Sequence, residues 1–401
     1  MSNNRIQGGA FGGAFGGAFG GAFGGAFGGA FGGAFGGAFG GAFGGAFGTS
    51  QSNSANLIDG LNKTREAIAL SHGDHIFKAS ALAHADRDSV QGKLQRTSAW
   101  VISNLAMQDL MQCLCFAWKD SKSLSLVLNG SVGDGKSVDR KVITLVKPER
   151  NKFESELQYV LDLSYIREDR AAEIFSQIGG LLPYFGQIVP LNISRTPATI
   201  GLMDIAAAFS MNIHLRFKFE MGCLRPNELN PHIQPLAPTP GHGAYPMGHA
   251  VEAYMLSYML TELIRKKDSA TADLIAPRLN ALAYRVSFNR IVAGVHFPVD
   301  LFAGRELGLW LGRYFMSKAS ANDAWRAGEL IVDTSAQTSA DLSELEKRGW
   351  EQNTSIETPL FECCDNSGVL MALFKQALAE WDWLKVYTPP PPLPPTHGAV
   401  I

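Results

Sequence analysis

The chain lacks most of the features that mark an exported, nucleic-acid-binding or membrane-spanning protein. Its cysteines are few: Cys113, Cys115, Cys223, Cys363 and Cys364 make an odd count with two adjacent and no CxxC pair. That is a poor disulfide framework, and it favours reduced thiols in a cytoplasm. Excess charge is missing too. Thirty-five Lys+Arg against 37 Asp+Glu leave a formal net charge of -2, so neither nucleic acid nor an anionic membrane is an expected partner. The first residues, Met1 to Gln7, show no charged start followed by an apolar core, so no secretory signal is expected. Long apolar runs are absent: the uncharged stretch Ile174 to Ser194, for example, is interrupted by Pro183, Pro190 and three glycines, and no membrane span is read there.

What the sequence does have in abundance is glycine at one end and proline at the other. Gly8 to Gly48 repeats Gly-Gly-Ala-Phe with a strict period of four, without strand alternation or heptads. Ordering such a glycine-rich tract costs maximal backbone entropy, so residues 1–54 are expected to be disordered, with self-association through the spaced phenylalanines of residues 8–48 as the functional alternative. Residues 388–401 carry Pro-Pro-Pro-Pro-Leu-Pro-Pro and are expected to be a polyproline tail. Between them, residues 55–387 have an ordinary globular composition, long enough for one large domain or two smaller ones.

The pattern of that middle part is mainly helical. Apolar positions recur at spacings of three and four over Asn56 to Leu70, Ala99 to Lys119, Glu154 to Leu163 and Arg167 to Ile178. Ile200 to Leu215 predicts a buried helix. Further helices are expected at Pro246 to Lys266, Ser269 to Ala293, Pro298 to Phe315 and Gly368 to Val386. Leu124 to Leu128 and Val142 to Val146 read as two short strands of a hairpin. Asn230 to Tyr245, with four prolines and two glycines, must be a loop. The expected fold class is all-α, a helical bundle with a small β-hairpin excursion.

The hairpin contains a near-miss. Gly130 to Ser137 matches the phosphate-loop pattern GxxxxGK[ST]. That pattern needs a helix directly after Lys-Ser to aim its amides at a phosphate, yet Val138 to Val146 is a β-type run. A nucleotide site is not expected here.

Three clusters carry chemistry. Lys218 and Arg225 stand seven residues apart, with Pro226 following. On a continuous helix that is two turns, so both cations share a face, a point charge beside a planar fork of donors. Alone, such a pair is usually just solvated. Pro246-Met247-Gly248-His249 opens a helix whose free first-turn amides favour an anion. Gly248 permits close approach, and His249 offers an imidazole able to exchange protons near neutral pH. Asn289-Arg290, then His296 five residues on and Asp300 four beyond it, adds another fork and an imidazole whose N–H the carboxylate can accept. His242 on the proline-rich loop is a candidate for the entrance, and Glu252 a candidate for tuning His249.

In this order and at these spacings the clusters resemble the superfamily that joins vanadium-dependent haloperoxidases with type 2 phosphatidic acid phosphatases and bacterial acid phosphatases. The resemblance covers about residues 200–315. It implies that Lys218, Arg225 and Arg290, with the Gly248 amide, bind the equatorial oxygens of an oxyanion. It makes His296 the axial ligand of vanadium or phosphorus, His249 the acid/base, and Asp300 the group that orients His296. Two positions depart from the family pattern. Asn289 replaces a serine. Met247 replaces the serine that would donate to an equatorial oxygen, a loss of roughly 1.5–3 kcal/mol unless another donor compensates.

The reading placed first is a cytoplasmic vanadate-dependent haloperoxidase-like enzyme that oxidises halide with hydrogen peroxide. The core is longer than in the compact acid phosphatases, and no series of membrane spans is read. The alternative is a soluble phosphatase that turns over a phosphoester through a phosphohistidine at His296. A third is a non-catalytic oxyanion-binding or scaffold protein, for which Met247 is the argument.

Overall fold

The computed structural model describes Lys63, residues 89–132, 136–320, 330–347 and 367–386. The glycine-rich tract, the proline-rich tail and all but Lys63 of the helix expected over 56–70 lie outside the described residues. Twelve α-helices occur among them. α1 is Val90–Leu94, α2 Ala99–Met111, α3 Arg150–Asp162, α4 Arg167–Ser176, α5 Leu182–Phe185 and α6 Pro197–Met221. Then come α7 Pro226–Leu229, α8 Gly248–Arg265, α9 Ser269–Val292, α10 Pro298–Ser320, α11 Leu342–Lys347 and α12 Val369–Ala379.

The β part is larger than the expected hairpin. A four-stranded mixed sheet has the order β1 Leu114–Trp118, β2 Ser123–Val132, β3 Lys136–Val146 and β4 Leu330–Val332. The first two pairings are antiparallel, and β4 joins β3 in parallel. The helix expected over Ala99 to Lys119 therefore ends early. Beyond Met111 the run Leu-Cys-Phe-Ala-Trp pairs with β2, Leu114 facing Leu128 and Trp118 facing Leu124. Aromatic residues on a pleated surface outweigh a helical apolar spacing there. Lys136 and Ser137 pair across the hairpin with Val132 and Ser131, so a strand stands where a phosphate loop would need a helix.

α6 is the central element. Fifteen of its 25 residues are buried, among them Phe209, Ile213 and Phe217. By length and composition the stretch Pro197–Leu229 could cross a membrane, with mean hydropathy 1.3, but 72% of its most apolar window is buried inside the protein. Its N-terminus is closed from the far end of the sequence. The Glu380 carboxylate accepts the Ala198 and Thr199 amides at 2.6 and 2.8 Å and the Thr199 hydroxyl at 2.7 Å. A carboxylate there satisfies free amides and matches the positive end of the helix. Trp381 Nε1 donates to the same hydroxyl at 2.9 Å, so α12 is locked on α6.

α8 and α10 approach one another unusually closely because α10 presents Gly304, Gly308 and Gly312 at successive fourth positions. A Cβ at Gly304 would stand 2.6 Å from the Met247 carbonyl oxygen, and one at Gly308 would overlap the Val251 carbonyl. Glycine thus sets the distance between the helix that starts beside His249 and the helix that starts beside His296. Substituting glycine by alanine inside a helix normally stabilises it. Here Gly308→Ala is expected to cost about 1–3 kcal/mol by overpacking, which lowers Tm by about 2–4 °C per kcal/mol for a domain of this size. A thermal melt reads it, and an unchanged or raised Tm would refute the close contact.

Candidate active site

Lys218 and Arg225 do not share a helix face. α6 stops at Met221, and Gly222 adopts a left-handed conformation with φ +55 whose amide returns to the Lys218 carbonyl. Arg225 caps the short α7 in extended conformation. The two cations meet because the chain turns back between them. Lys218 Nζ is fully buried and donates to the carbonyls of Gly243 and Ala244 at 3.0 and 2.8 Å. Arg225 donates to the carbonyls of His242 at 3.1 Å and Val295 at 2.7 Å, and its own amide is held by Glu228 at 2.6 Å. The proline-rich loop is therefore the cradle that aims both cations.

His296 lies directly beside Arg225, its Nε2 3.5 Å from Nη1. Its other nitrogen, Nδ1, is 2.8 Å from Asp300 Oδ2, which also accepts the Phe297 amide at 2.9 Å. The i to i+4 spacing puts the carboxylate in the first turn of α10 with the imidazole just outside it. Burial, then Lys218 and Arg225, push the His296 imidazolium well below the ordinary range. The ring is neutral, and with its proton on Nδ1 facing Asp300, Nε2 carries the lone pair. Burial raises Asp300 to about 7, while the Phe297 amide, Lys218 and Arg225 pull it back.

Arg290 enters from α9. Its Nη2 donates to the Ile174 carbonyl and to Gln177 Oε1, both at 2.9 Å, while its buried Nε has no partner. Burial lowers it only to about 10, so it stays charged. His249, half-buried in the first turn of α8, is held well below the ordinary histidine range by burial and then by Arg290, with the Gln177 carbonyl favouring its protonated form and Lys218 and Arg225 opposing it. Both imidazoles thus feel Lys218 and Arg225, and His296 also feels His249. An unpaired guanidinium N–H and the open amides at the start of α8 fit a tetrahedral oxyanion such as phosphate or vanadate. Among the described residues no three His, Cys, Asp or Glu side chains gather as metal ligands.

Other expectations are redrawn. α8 begins at Gly248 with Met247 as its cap, two residues later than Pro246. Met247 is fully buried, its Cβ turned to the Gly304 position of α10, so it fills core and offers the centre no donor. His242 stands on the loop with its edge in solvent and its Nδ1 3.2 Å from Arg225 Nη2; partial desolvation of the ring, then Lys218 and Arg225, lower it to about 4. Glu252 does not tune His249. Its neighbour is Asp204 on α6, and both carboxyls are raised to about 7, chiefly by burial. The thiols are not all reduced: Cys113 is disulfide-bonded, whereas Cys115 and Cys223 are free.

Two residues here were not singled out from the sequence. Gln177 is almost wholly buried, and its Oε1 accepts from both Asn289, at 3.1 Å, and Arg290. No spacing rule points to it, because it reaches the centre across a tertiary contact. His214 lies one turn before Lys218 on the same face of α6, and that spacing was a usable signal.

Comparison with known proteins follows this geometry. Residues 198–323 match the PAP2 superfamily, a segment that holds every one of the three clusters. An undecaprenyl-diphosphatase of Sulfolobus acidocaldarius is 35% identical over 100 residues, covering 23% of this chain and 42% of that protein's own length. Among solved structures, the chain is similar to the first transmembrane PAP2 type phosphatidylglycerolphosphate phosphatase from Bacillus subtilis, at 20% identity over 42% of this chain and 84% of that one, with a TM-score of 0.33. That score is too low to bear on the arrangement of the helices. The family match and the undecaprenyl-diphosphatase overturn the halide-oxidising reading: an oxidoreductase activity with hydrogen peroxide and halide as partners finds no support. The cytoplasmic, membrane-free placement is withdrawn with it, because the relative matched by sequence is an undecaprenyl-diphosphatase.

The Glu252–Asp204 pair yields a pH prediction. Well below their ordinary values of 3.8 and 4.5 both carboxyls are protonated whether folded or not. As pH rises towards 7 the unfolded chain ionises first, so stability falls across that window and the loss is complete above it. Glu252→Gln is therefore expected to raise Tm by a few degrees at pH 8 and to leave it unchanged at pH 4. Equal shifts at both values would show that the carboxyl is not held away from water.

Proposed function

We propose that the chain is a phosphohydrolase of PAP2 type that acts through a phosphohistidine at His296. The observation that carries this reading is the His296 ring, tied at Nδ1 to Asp300 at 2.8 Å, with Nε2 3.5 Å from Arg225 Nη1. Nε2 attacks phosphorus as the bond to the leaving oxygen breaks. Lys218, Arg225 and Arg290 take up the charge on the three equatorial oxygens, where fixed cations in a dry site act most strongly. The leaving oxygen needs a proton, and His249 supplies it. In the empty surroundings of three cations His249 holds a proton poorly, but a bound phosphate dianion offsets those cations and restores it. In the second half, water attacks phosphorus, its proton passes to His249, and the P–N bond breaks to release inorganic phosphate and free His296.

The substrate class follows from the relatives, whose printed activities are on undecaprenyl diphosphate and phosphatidylglycerolphosphate. A lipid phosphate or diphosphate presented at a membrane surface is the substrate proposed for this chain. Vanadate, first expected as a cofactor, is carried forward as a phosphate-shaped inhibitor held by the same residues.

The full-length protein is expected to release phosphate from lipid mono- or diphosphates in mixed micelles, and from p-nitrophenyl phosphate more slowly. His296→Ala should lower kcat by at least about 10³-fold and His249→Ala by about 10²- to 10⁴-fold. Turnover that survives His296→Ala would end the proposal.

A further inference from the structure

Met247 removes a donor from the anion site, and nothing in the three clusters replaces it. The structure places one further polar side chain at that point. His214 projects from α6 one turn before Lys218 and is only 8% exposed. Its Nε2 lies over the backbone of Gly248: a Cβ on that glycine would stand 2.7 Å from Nε2 and 3.1 Å from Cε1. Gly248 is the first residue of α8, where the open amides begin. A side chain at position 248 would displace the ring, so this glycine makes room for an imidazole as well as for an anion. Nδ1 makes no hydrogen bond within the protein, its polar neighbour being the Ser210 carbonyl one turn back. The remaining charged or titratable groups that face His214 are Lys218, His242 and His249. Each of these belongs to the site or its rim.

We propose that His214 is a further phosphate-binding residue, its Nε2 contacting a phosphoryl oxygen above Gly248 in place of the donor that Met247 lacks. The inference rests on the phosphatase reading. The contact is available in two forms. With its N–H on Nε2 the ring donates to an unprotonated oxygen. With the N–H on Nδ1, facing Ser210, it accepts from a phosphoryl O–H. Burial and the facing cations keep the ring neutral in the absence of an anion. A bound dianion reverses the sign of the local field and favours the protonated ring, which then donates from Nε2. His214 is thereby a third imidazole at the centre, distinct from the nucleophile and from the leaving-group acid, and it comes from the same helix that carries Lys218.

The test compares two substitutions of nearly the same shape in the full-length protein, His214→Gln, which keeps a donor at the Nε2 position, and His214→Met, which keeps none. Inorganic phosphate is titrated into each by calorimetry, with orthovanadate as a second probe. His214→Met is expected to bind phosphate about 10- to 150-fold more weakly than wild type, the worth of one hydrogen bond to a charged acceptor, and His214→Gln to retain most of the affinity. Equal affinities in all three proteins overturn the proposal and leave the phosphatase reading intact. Failure of the wild type to bind either anion overturns the phosphatase reading itself. If His214→Met does not fold by circular dichroism, the wild type supplies the answer. The imidazole resonance that disappears in His214→Gln must shift when phosphate is added to histidine-labelled wild-type protein, and a resonance that stays in place contradicts the contact.

Discussion

Burial of positive charge without matching negative charge is the constraint on which this structure depends. Lys218, Arg225 and Arg290 are all essentially out of water. Asp300 is the carboxylate that Lys218 and Arg225 feel together, and it is already engaged by His296 and the Phe297 amide. Backbone carbonyls take up several of the cationic donors, but a carbonyl dipole does not neutralise a charge. Each uncompensated ion in such surroundings costs several kcal/mol. A bound phosphoryl dianion, as proposed, would offset that cost. Burial first, and then the same field, holds His296, His249 and His214 below the ordinary histidine range.

The helices hold this arrangement through contacts that are mostly remote from the chemistry. Glu380 and Trp381 fix the start of α6, and so the register of His214 and Lys218 at its other end. The glycines of α10 fix its approach to α8, and so the separation of His296 from His249. Glu156, buried in α3, accepts the Val299 amide at 3.2 Å and closes the N-terminus on which Asp300 sits. Gln177 ties Arg290 and Asn289 to the segment that follows α4. The proposed site is therefore distributed: its groups lie on α6, α8, α9 and α10 and their flanking turns, and their positions are set by the first and last thirds of the described chain.

Much of the site could be read from the sequence because its parts are spaced by local rules. Histidine four before aspartate and glycine-histidine at a helix start each follow from one turn of chain. The convergence of those parts was implied by the resemblance. What was not legible depended on tertiary contact. Lys218 and Arg225 meet through the left-handed turn at Gly222, not along one helix. Leu114 to Trp118 become a strand because β2 is beside them. Gln177 arrives from a segment with no signal of its own. The choice between oxidising a halide and hydrolysing a phosphoester was not in the spacing at all, since both chemistries need a five-coordinate oxyanion beside the same histidine. The preference for the longer-cored relatives misjudged it.

The central claim is that His296 Nε2 bonds to phosphorus during turnover. Rapid denaturing quench of the full-length protein with a ³²P-labelled phosphoester, followed by peptide mapping, tests it directly. The account predicts label on the peptide containing His296, stable to alkali and lost in acid, as a phosphoramidate must be. Turnover without any labelled histidine, or label on a different residue, would contradict it.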